Sequence, residues 1–427
     1  MLAIVIILFF VLLFIGCPVA MAMGIGVMPY FIFTPKVKGL VIAQKMFTAA
    51  DSFSLTAIVF FMLAGCIMEE AGITSDMVDW ANALVGHFKG GLAQTATVAG
   101  VILAGVSGSA NADAAALGAI LVPSMVKAGY DEGFSCVTVA CAGGLGPIIP
   151  PSITMVIYAS CTGFSTGTLF TAGIIPGLIL AALYMGYNYY YAKSHNVPNI
   201  PFKGWKHLLT VTKKSIGAII MPVLIVGGLL FGIFTATEAG VVACVYGIIY
   251  GFASRKLNFK QFVTSLTNSA VSAAGPMFII MMSSALSYSF TRLGMSDAIA
   301  DFCKNSLGSA GAFFAFVIVI NLISGCFIDG NAWILMVVPI LYPMLQVFGI
   351  SELQFGMVFL LTLFIGGITP PVGMYLMITC GVMNTSLGKT LKYIIPFLTI
   401  QLVNAILICI FPQIVEFLPN LMASIGA

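Results

Sequence analysis

Two apolar stretches of this chain are interrupted in nearly the same way, by GPIIPPS from Gly146 to Ser152 and by GGITPPVGM from Gly366 to Met374. Glycine is a poor helix former, and a double proline removes two backbone donors and clashes with the preceding turn. A chain that breaks two hydrophobic helices must satisfy the backbone groups it frees, and that requirement limits where the breaks can lie.

The surroundings of the breaks set the solvent. Apolar runs of membrane-spanning length cover residues 2–34, 53–71, 91–127, 133–162, 168–192, 215–252, 264–290, 309–345, 353–384 and 390–415. Charged residues are 7% of the chain, against about a quarter in soluble domains. That is too little charge to cover a globule in water, so the chain reads as an all-α polytopic membrane protein. Its net charge of +3 gives no basis for a nucleic-acid partner. The ten cysteines lie mostly in apolar runs without metal-ligand spacing, and read as small buried hydrophobes. The first run, beginning MLAIVIILFF, has no basic lead-in and no small-residue cleavage site, so it reads as a membrane helix rather than a signal peptide.

The longest polar interruption, Lys193 to Ser215, holds five lysines, two histidines and no acid. An excess of lysine marks cytoplasmic loops, so this one is expected to be cytoplasmic, as is Ser254 to Lys260. Tyr187, Tyr189, Tyr190, Tyr191 and Trp205 flank it as an interfacial aromatic belt. The early basic segment with Lys36, Lys38 and Lys45 does not fix the orientation of the N-terminus.

The two halves repeat. Asp113 lies ten residues before Pro123, and Asp329 ten before Pro339, an offset of 216. Pro150-Pro151 and Pro370-Pro371 are offset by 220, and GITSDMVDWANALVG from Gly72 resembles GMSDAIADFCKNSLG from Gly294 at 222. The expected division is a first repeat over 1–192, a basic cytoplasmic loop over 193–214 and a second repeat over 215–427. Within 91–127 and 309–345 the centres are small and polar, GVSGSANAD and SGCFIDGN, which predicts two re-entrant hairpins. The double prolines predict discontinuous helices over about 133–162 and 353–384. Irregular backbone at membrane depth must be buried in protein or line a wet cavity. Corresponding interruptions in two halves point to a secondary transporter's binding site.

Each break frees carbonyls at the end of one half-helix and N–H groups at the start of the next. Carbonyls with a nearby Ser, Thr, Asn or Asp make a cage for a hard cation, and the N–H groups with the positive dipole end favour an anion. The alternative is that each Gly-Pro-Pro merely kinks a helix for packing. Two repeats with two polar tips favour the functional reading.

The motifs SGSANADAAALGAILVPSM, GPIIPPS, FTATEAG, FIDGNAWILMVVPILYP and GGITPPVGM together resemble the large membrane subunit of a tripartite ATP-independent periplasmic (TRAP) transporter, over essentially the whole chain. The resemblance implies an ion-transporter-superfamily fold with two inverted structural repeats, two re-entrant hairpins and two discontinuous helices, working as an elevator in the bacterial inner membrane. It implies import driven by two or more transported Na⁺ ions, with no organic cofactor. The cargo would be an organic acid handed over by a periplasmic substrate-binding protein, with sialic acid the single best expectation and a C4-dicarboxylate or other carboxylate the alternative. A small four-helix membrane subunit is the other implied partner. Because the chain begins with the large subunit's own segment, that subunit is expected to be a separate polypeptide.

The first cation site is expected to draw on Ser107, Gly108, Ser109, Asn111, Asp113, Gly146, Pro147 and Ile149, and the second on Ser324, Gly325, Asp329, Gly366, Gly367 and Thr369. The candidates for the cargo are Ser109, Asn111, Pro150, Ser152, Asn331 and Pro370. A carboxylate at membrane depth is a functional-site hypothesis by default. Asp113 and Asp329 have a second reading, as N-caps of their own second half-helices. Glu238 is expected to be structural, Arg292 and Asp297 to share a polar cluster, and Asp76 and Asp79 to sit on an amphipathic connector outside the core. An enzyme is not expected. GVSG at Gly105 matches the motif of intramembrane serine proteases, but His87, His195 and His207 all lie in polar connectors, out of reach of that serine. A channel would want a continuous polar pore instead of two polar tips, and no phosphate-cradling Gly-Lys motif supports ATP hydrolysis.

Overall fold

Glycine and proline decide where the helices stop. The computed structural model describes residues 1–34, 39–198, 201–295, 298–299, 301 and 306–425. Lys36, Lys38 and Asp297 therefore lie outside the described residues. The described regular structure is all helical. The first run divides at Gly16, in the left-handed region at φ +91°, into α1 (Leu2–Phe14) and α2 (Val19–Phe33). After α3 (Leu40–Ala50), α4 (Phe53–Glu70) and α5 (Ile73–Val85) come the arms of the first hairpin, α6 (Gly91–Ser107) and α7 (Ala110–Lys127).

The next run is interrupted at the double proline, giving α8 (Glu132–Gly143) and α9 (Ile153–Thr162), and α10 (Thr166–Ser194) follows. The run over 215–252 separates into α11 (Trp205–Leu230) and α12 (Ala236–Ala253). The cause is a capping box in FTATEAG: Thr235 N–H donates to Glu238 Oε2 at 2.8 Å, and Glu238 N–H donates to Thr235 Oγ1 at 3.3 Å. After α13 (Phe259–Arg292), the second hairpin has arms α14 (Ala310–Gly325) and α15 (Gly330–Leu341). A short α16 (Met344–Phe348) leads to α17 (Glu352–Gly366) and α18 (Met374–Met383), separated by the second double proline. The chain ends with α19 (Leu387–Ile410) and α20 (Gln413–Ile425). Both Pro-Pro bonds are cis. Among the described residues six helices (α4, α10, α11, α12, α13 and α19) are long and apolar enough to cross a membrane.

The two interrupted helices form the centre. Every residue from Gly133 to Gly143 in α8 and from Leu353 to Gly366 in α17 is buried, as expected of helices apolar on all faces. The hairpin arms exchange partners around this centre: α7 packs on α8 and α18, while α15 packs on α9 and α13 and α14 packs on α17. A second group of helices surrounds α4, which packs on α12, α13, α9 and α6. Buried amides brace individual helix pairs, α10 on α6 and α14 on α17 and α15. Asn188 donates to the Ala93 carbonyl at 3.1 Å, and Asn321 to the Phe359 carbonyl at 3.1 Å while accepting from Trp333 Nε1 at 2.8 Å.

Three expectations give way to packing. The basic stretch is a loop only to Gly204, because from Trp205 it forms the first turns of α11, docked on α5. Lys214 lies 3.7 Å from Asp76 and 3.6 Å from Asp79, and Trp80 Nε1 donates to Thr212 Oγ1 at 3.1 Å. Asp76 is consequently buried, at 4% exposure, and also pairs with Lys256, whereas Asp79 stays exposed as expected. The aromatic belt is also divided. Tyr189, Tyr190 and Trp205 are exposed, but Tyr191 is buried and stacks on Phe134 with ring centroids 3.5 Å apart.

The tip of the second hairpin meets the second break glycine to glycine. A Cβ on Gly366 would overlap the Gly325 backbone, and one on Gly325 would sit 2.7 Å from the Leu363 carbonyl oxygen. Gly366→Ala should therefore destabilise the protein by about 1–3 kcal/mol through overpacking. Gly227→Ala, where a Cβ meets nothing within 4 Å, should be near neutral or stabilising. Thermal unfolding of the two variants in the same detergent compares them, and equal midpoints would refute the close approach.

Candidate functional site

The first tip is built by a change of helix direction within two residues. Helix α6 ends at Ser107, Gly108 takes φ +59°, and Ser109 caps α7 by accepting from the Ala112 N–H. Only glycine fits at 108, since a Cβ there would stand 2.5 Å from the Pro151 carbonyl oxygen of the facing break. The contact is also a hydrogen bond, from Ile153 N–H to the Gly108 carbonyl at 3.3 Å. So hairpin tip and break are joined by backbone.

Asp113 does not cap α7. Ser109 occupies that position, and Asp113 lies one turn further on, where Ser107 Oγ donates to its Oδ1 at 2.5 Å. Its Oδ2 is buried without a hydrogen-bond partner, aimed at the break; a Cβ on Gly146 would lie 2.7 Å from it. Asp329 does cap its helix, with Oδ1 accepting from the N–H groups of Asn331 at 3.0 Å and Ala332 at 3.4 Å. The two aspartates are thus not equivalent. Counted from the start of the second arm, Asp329 corresponds to Ser109 and Asn331 to Asn111, at the offset of 220 shared by the double prolines. The second tip has a longer turn, Cys326–Ile328, but the pairing suggested by the spacing to proline is displaced within the arm, where cap and proline are ten residues apart (Asp329, Pro339) against fourteen in the first (Ser109, Pro123). In that turn the Ser324 carbonyl accepts from Phe327 N–H at 2.9 Å and Ile328 N–H at 2.8 Å.

The tips converge on one cavity of about 580 Å³. Ser107, Ser109, Asn111, Asp113, Asp329 and Asn331 form one side, and α4 and α13 the other, through Gly65, Glu69, Ser272, Gly275 and Pro276. A smaller space of about 40 Å³ adjoins it, where Gly108 and Pro147 meet Asp329, Asn331 and Tyr375. The remaining candidates lie behind this surface. Ser152 is fully buried and caps α9, accepting from Met155 N–H at 3.2 Å and donating to the Pro147 carbonyl at 2.7 Å. Thr369 Oγ1 donates to the Ile365 carbonyl at 2.8 Å, the Gly366 carbonyl accepts from Thr369 N–H at 3.0 Å, and the Gly367 carbonyl from Tyr375 N–H at 3.0 Å. Each of these oxygens keeps a second lone pair. Ile149, Pro150, Gly325 and Pro370 line neither space. Sequence reasoning missed the wall from α13, although the helix-weakening pair Gly275-Pro276 inside an apolar run was a visible signal.

The family described as "Tripartite ATP-independent periplasmic transporter, DctM component" matches residues 6–414. A C4-dicarboxylate TRAP transporter large permease protein of Pseudomonas aeruginosa is 36% identical over 397 residues, which is 92% of this chain and 92% of that protein. A sialic acid TRAP transporter permease protein of Haemophilus influenzae is 34% identical over 413 residues, 96% of this chain and 67% of that protein. Among solved structures, the YdaH transporter of Alcanivorax borkumensis superposes with a TM-score of 0.66 at 14% identity, covering 89% of this chain and 88% of that one, a likeness of fold.

The capping role of Ser152 is testable apart from any role in transport. Ser152→Ala removes both its hydrogen bonds in a buried setting, and should lower stability by about 1–2 kcal/mol. Ser152→Thr, which keeps the hydroxyl, should recover part of the loss. Thermal unfolding in detergent reads both, and an unchanged midpoint for Ser152→Ala would count against the cap.

Proposed function

The chain belongs to the DctM-component family of tripartite ATP-independent periplasmic transporters, and we propose that it carries an organic acid inward across the membrane in company with Na⁺. It is a multi-pass protein of the inner membrane and a permease rather than an enzyme, as its relatives are. A tripartite system needs two further components, here a periplasmic substrate-binding protein and a small membrane subunit. The relatives named for a C4-dicarboxylate and for sialic acid are 36% and 34% identical, so their similarity does not separate those cargoes. The proposal is for the class, a carboxylate-bearing acid.

The observation that carries the Na⁺ reading is the Oδ2 of Asp113, a buried carboxylate oxygen without a donor beside the first break. A bare buried carboxylate is costly, and a hard cation coordinated by oxygen is the partner its chemistry asks for. Ser107, Gly146 and Pro147 would complete that site, and Ser324, Gly366, Gly367 and Thr369 a second. The cavity supports a moving-barrier mechanism, because it divides the helices into two bodies. The hairpins and interrupted helices hold the polar tips, and α4 with α13 present the opposite wall. Movement of the first body past the second would carry cargo and ions together.

The test is Na⁺-dependent uptake in proteoliposomes with all three components present. Asp113→Asn should raise the Na⁺ concentration for half-maximal uptake by roughly five- to hundredfold, the range expected from about 1–3 kcal/mol for one lost buried partner. Thr369→Ala and Asp329→Asn should act in the same direction and more weakly, because those side chains already have protein partners. Unchanged half-saturation in all three folded variants would leave the breaks with packing alone. Orientation has its own test. A cysteine at Lys203 should react with an impermeant thiol reagent only once the inner membrane is opened, and labelling in intact spheroplasts would reverse the assignment.

A further inference from the structure

A second cavity of about 650 Å³ lies elsewhere on the molecule, with a different chemistry. Lys45 of α3 and Arg292 at the end of α13 both stand at the ring of Tyr288, with Lys45 Nζ 5.4 Å and the Arg292 guanidinium carbon 5.6 Å from its centroid. The ring's quadrupole attracts both charges, which lie no more than about 11 Å apart. Neither cation forms an ion pair among the described residues, and no Asp or Glu is among the residues lining the cavity. Ser284 and Ser287 add hydroxyls along one face of α13, where Thr291 Oγ1 donates instead to the Ser287 carbonyl at 3.0 Å. Two unpaired cations with hydroxyl donors around a concave space form a receptor for an anion.

Helix lengths give its side of the membrane. α13 begins beside α4, where Gln261 Nε2 donates to the Glu70 carbonyl at 3.3 Å, close to the Asp76–Lys256 pair and the basic connection. Its 34 residues run about 51 Å, so Arg292 emerges at the opposite face. The 29 residues of α10 separate Ser160 and Cys161, which line this cavity just before that helix begins, from Lys193 at its far end by about 43 Å. The cavity bearing Asp113, in contrast, includes Glu69 and Thr74 and so lies toward the face of the basic connection. The two cavities sit on opposite sides of the same helices. The basic one also spans both bodies, with Leu335 of α15 and Ser160 of α9 facing α3 and α13.

We propose that this cavity is an entry vestibule, in which Lys45 and Arg292 bind the carboxylate of the incoming organic acid before the inner site becomes accessible from that face. The proposal rests on the reading of the chain as an organic-acid carrier. It assigns to the outer face a carboxylate site separate from the hairpin tips. A lipid phosphate has related chemistry, so the measurement is made in nanodiscs of phosphatidylcholine, without anionic lipid.

Full-length protein carrying Ser284→Cys would be labelled with an anionic and a cationic methanethiosulfonate reagent, and modification at position 284 followed by peptide mass spectrometry. In the presence of Lys45→Gln and Arg292→Gln, the anionic-to-cationic rate ratio should fall about tenfold, the scale on which a charged cleft concentrates counter-ions. Sodium succinate and sodium N-acetylneuraminate should each slow labelling beyond sodium chloride of equal ionic strength, and this protection should vanish with the two glutamines. Lys45→Arg with Arg292→Lys keeps both charges and should retain protection, which separates charge from folding. A rate ratio indifferent to neutralisation, or protection by both acids no greater than that by chloride, would overturn the vestibule. Uptake by the complete system is scored beside it. Na⁺-driven uptake that persists while these measurements fail removes the vestibule alone, whereas uptake indifferent to Na⁺ in the unsubstituted protein removes the Na⁺-coupled reading.

Discussion

Backbone hydrogen bonding is the constraint on which this molecule depends. In hydrocarbon every N–H and C=O needs a partner inside the protein, and two helices that stop halfway leave a set of each without one. The response is visible at both breaks. Ser152 and Thr369 return their hydroxyls to carbonyls of the break, Ile153 donates to the facing tip, and Tyr375 N–H reaches back to Gly367. Those bonds require the tips to touch the breaks, and glycines at 108, 325 and 366 let the backbones approach closely enough. Burial of α8 and α17 on all sides follows, since a break exposed to lipid has no such partners.

What the site offers a ligand is the remainder after this accounting. Several oxygens flanking the breaks, those of Gly143, Leu145, Gly366 and Gly367, already accept from an N–H group, the Pro147 carbonyl accepts from Ser152 Oγ, and Asp329 is engaged in capping α15. Asp113 stands apart because Ser109 took the cap and Ser107 satisfied one carboxylate oxygen, leaving the other directed at Gly146. Local helix-capping chemistry thereby determines which of two similar aspartates is free to act.

Much of this was legible in the residues. The run 91–127 has its turn at Gly108-Ser109, where the small polar stretch suggested one, and the helix interruptions fall at the two double prolines. These features announce themselves through backbone chemistry, which is local. What the sequence left hidden depended on non-local packing. The burial of Asp76 comes from lysines 138 and 180 residues away, Lys214 and Lys256. The burial of Tyr191 comes from Phe134 on another helix. Trp205 to Ser215 looked like loop because its lysines masked a helix that is stabilised by α5. The inequivalence of Asp113 and Asp329 came with a second arm four residues shorter between its cap and its proline, which spacing measured from the downstream prolines hides.

The shortness of the central helices bears on how the protein is made. α8, α9 and α18 have 12, 10 and 10 residues, roughly half of what a lone segment needs to cross a bilayer. None can partition stably from the insertion machinery on its own. Their neighbours α4, α10 and α19 are long enough to do so. Biogenesis is thereby constrained: a long helix can settle in lipid alone, whereas a half-helix holds its place only beside neighbours that cover its ends.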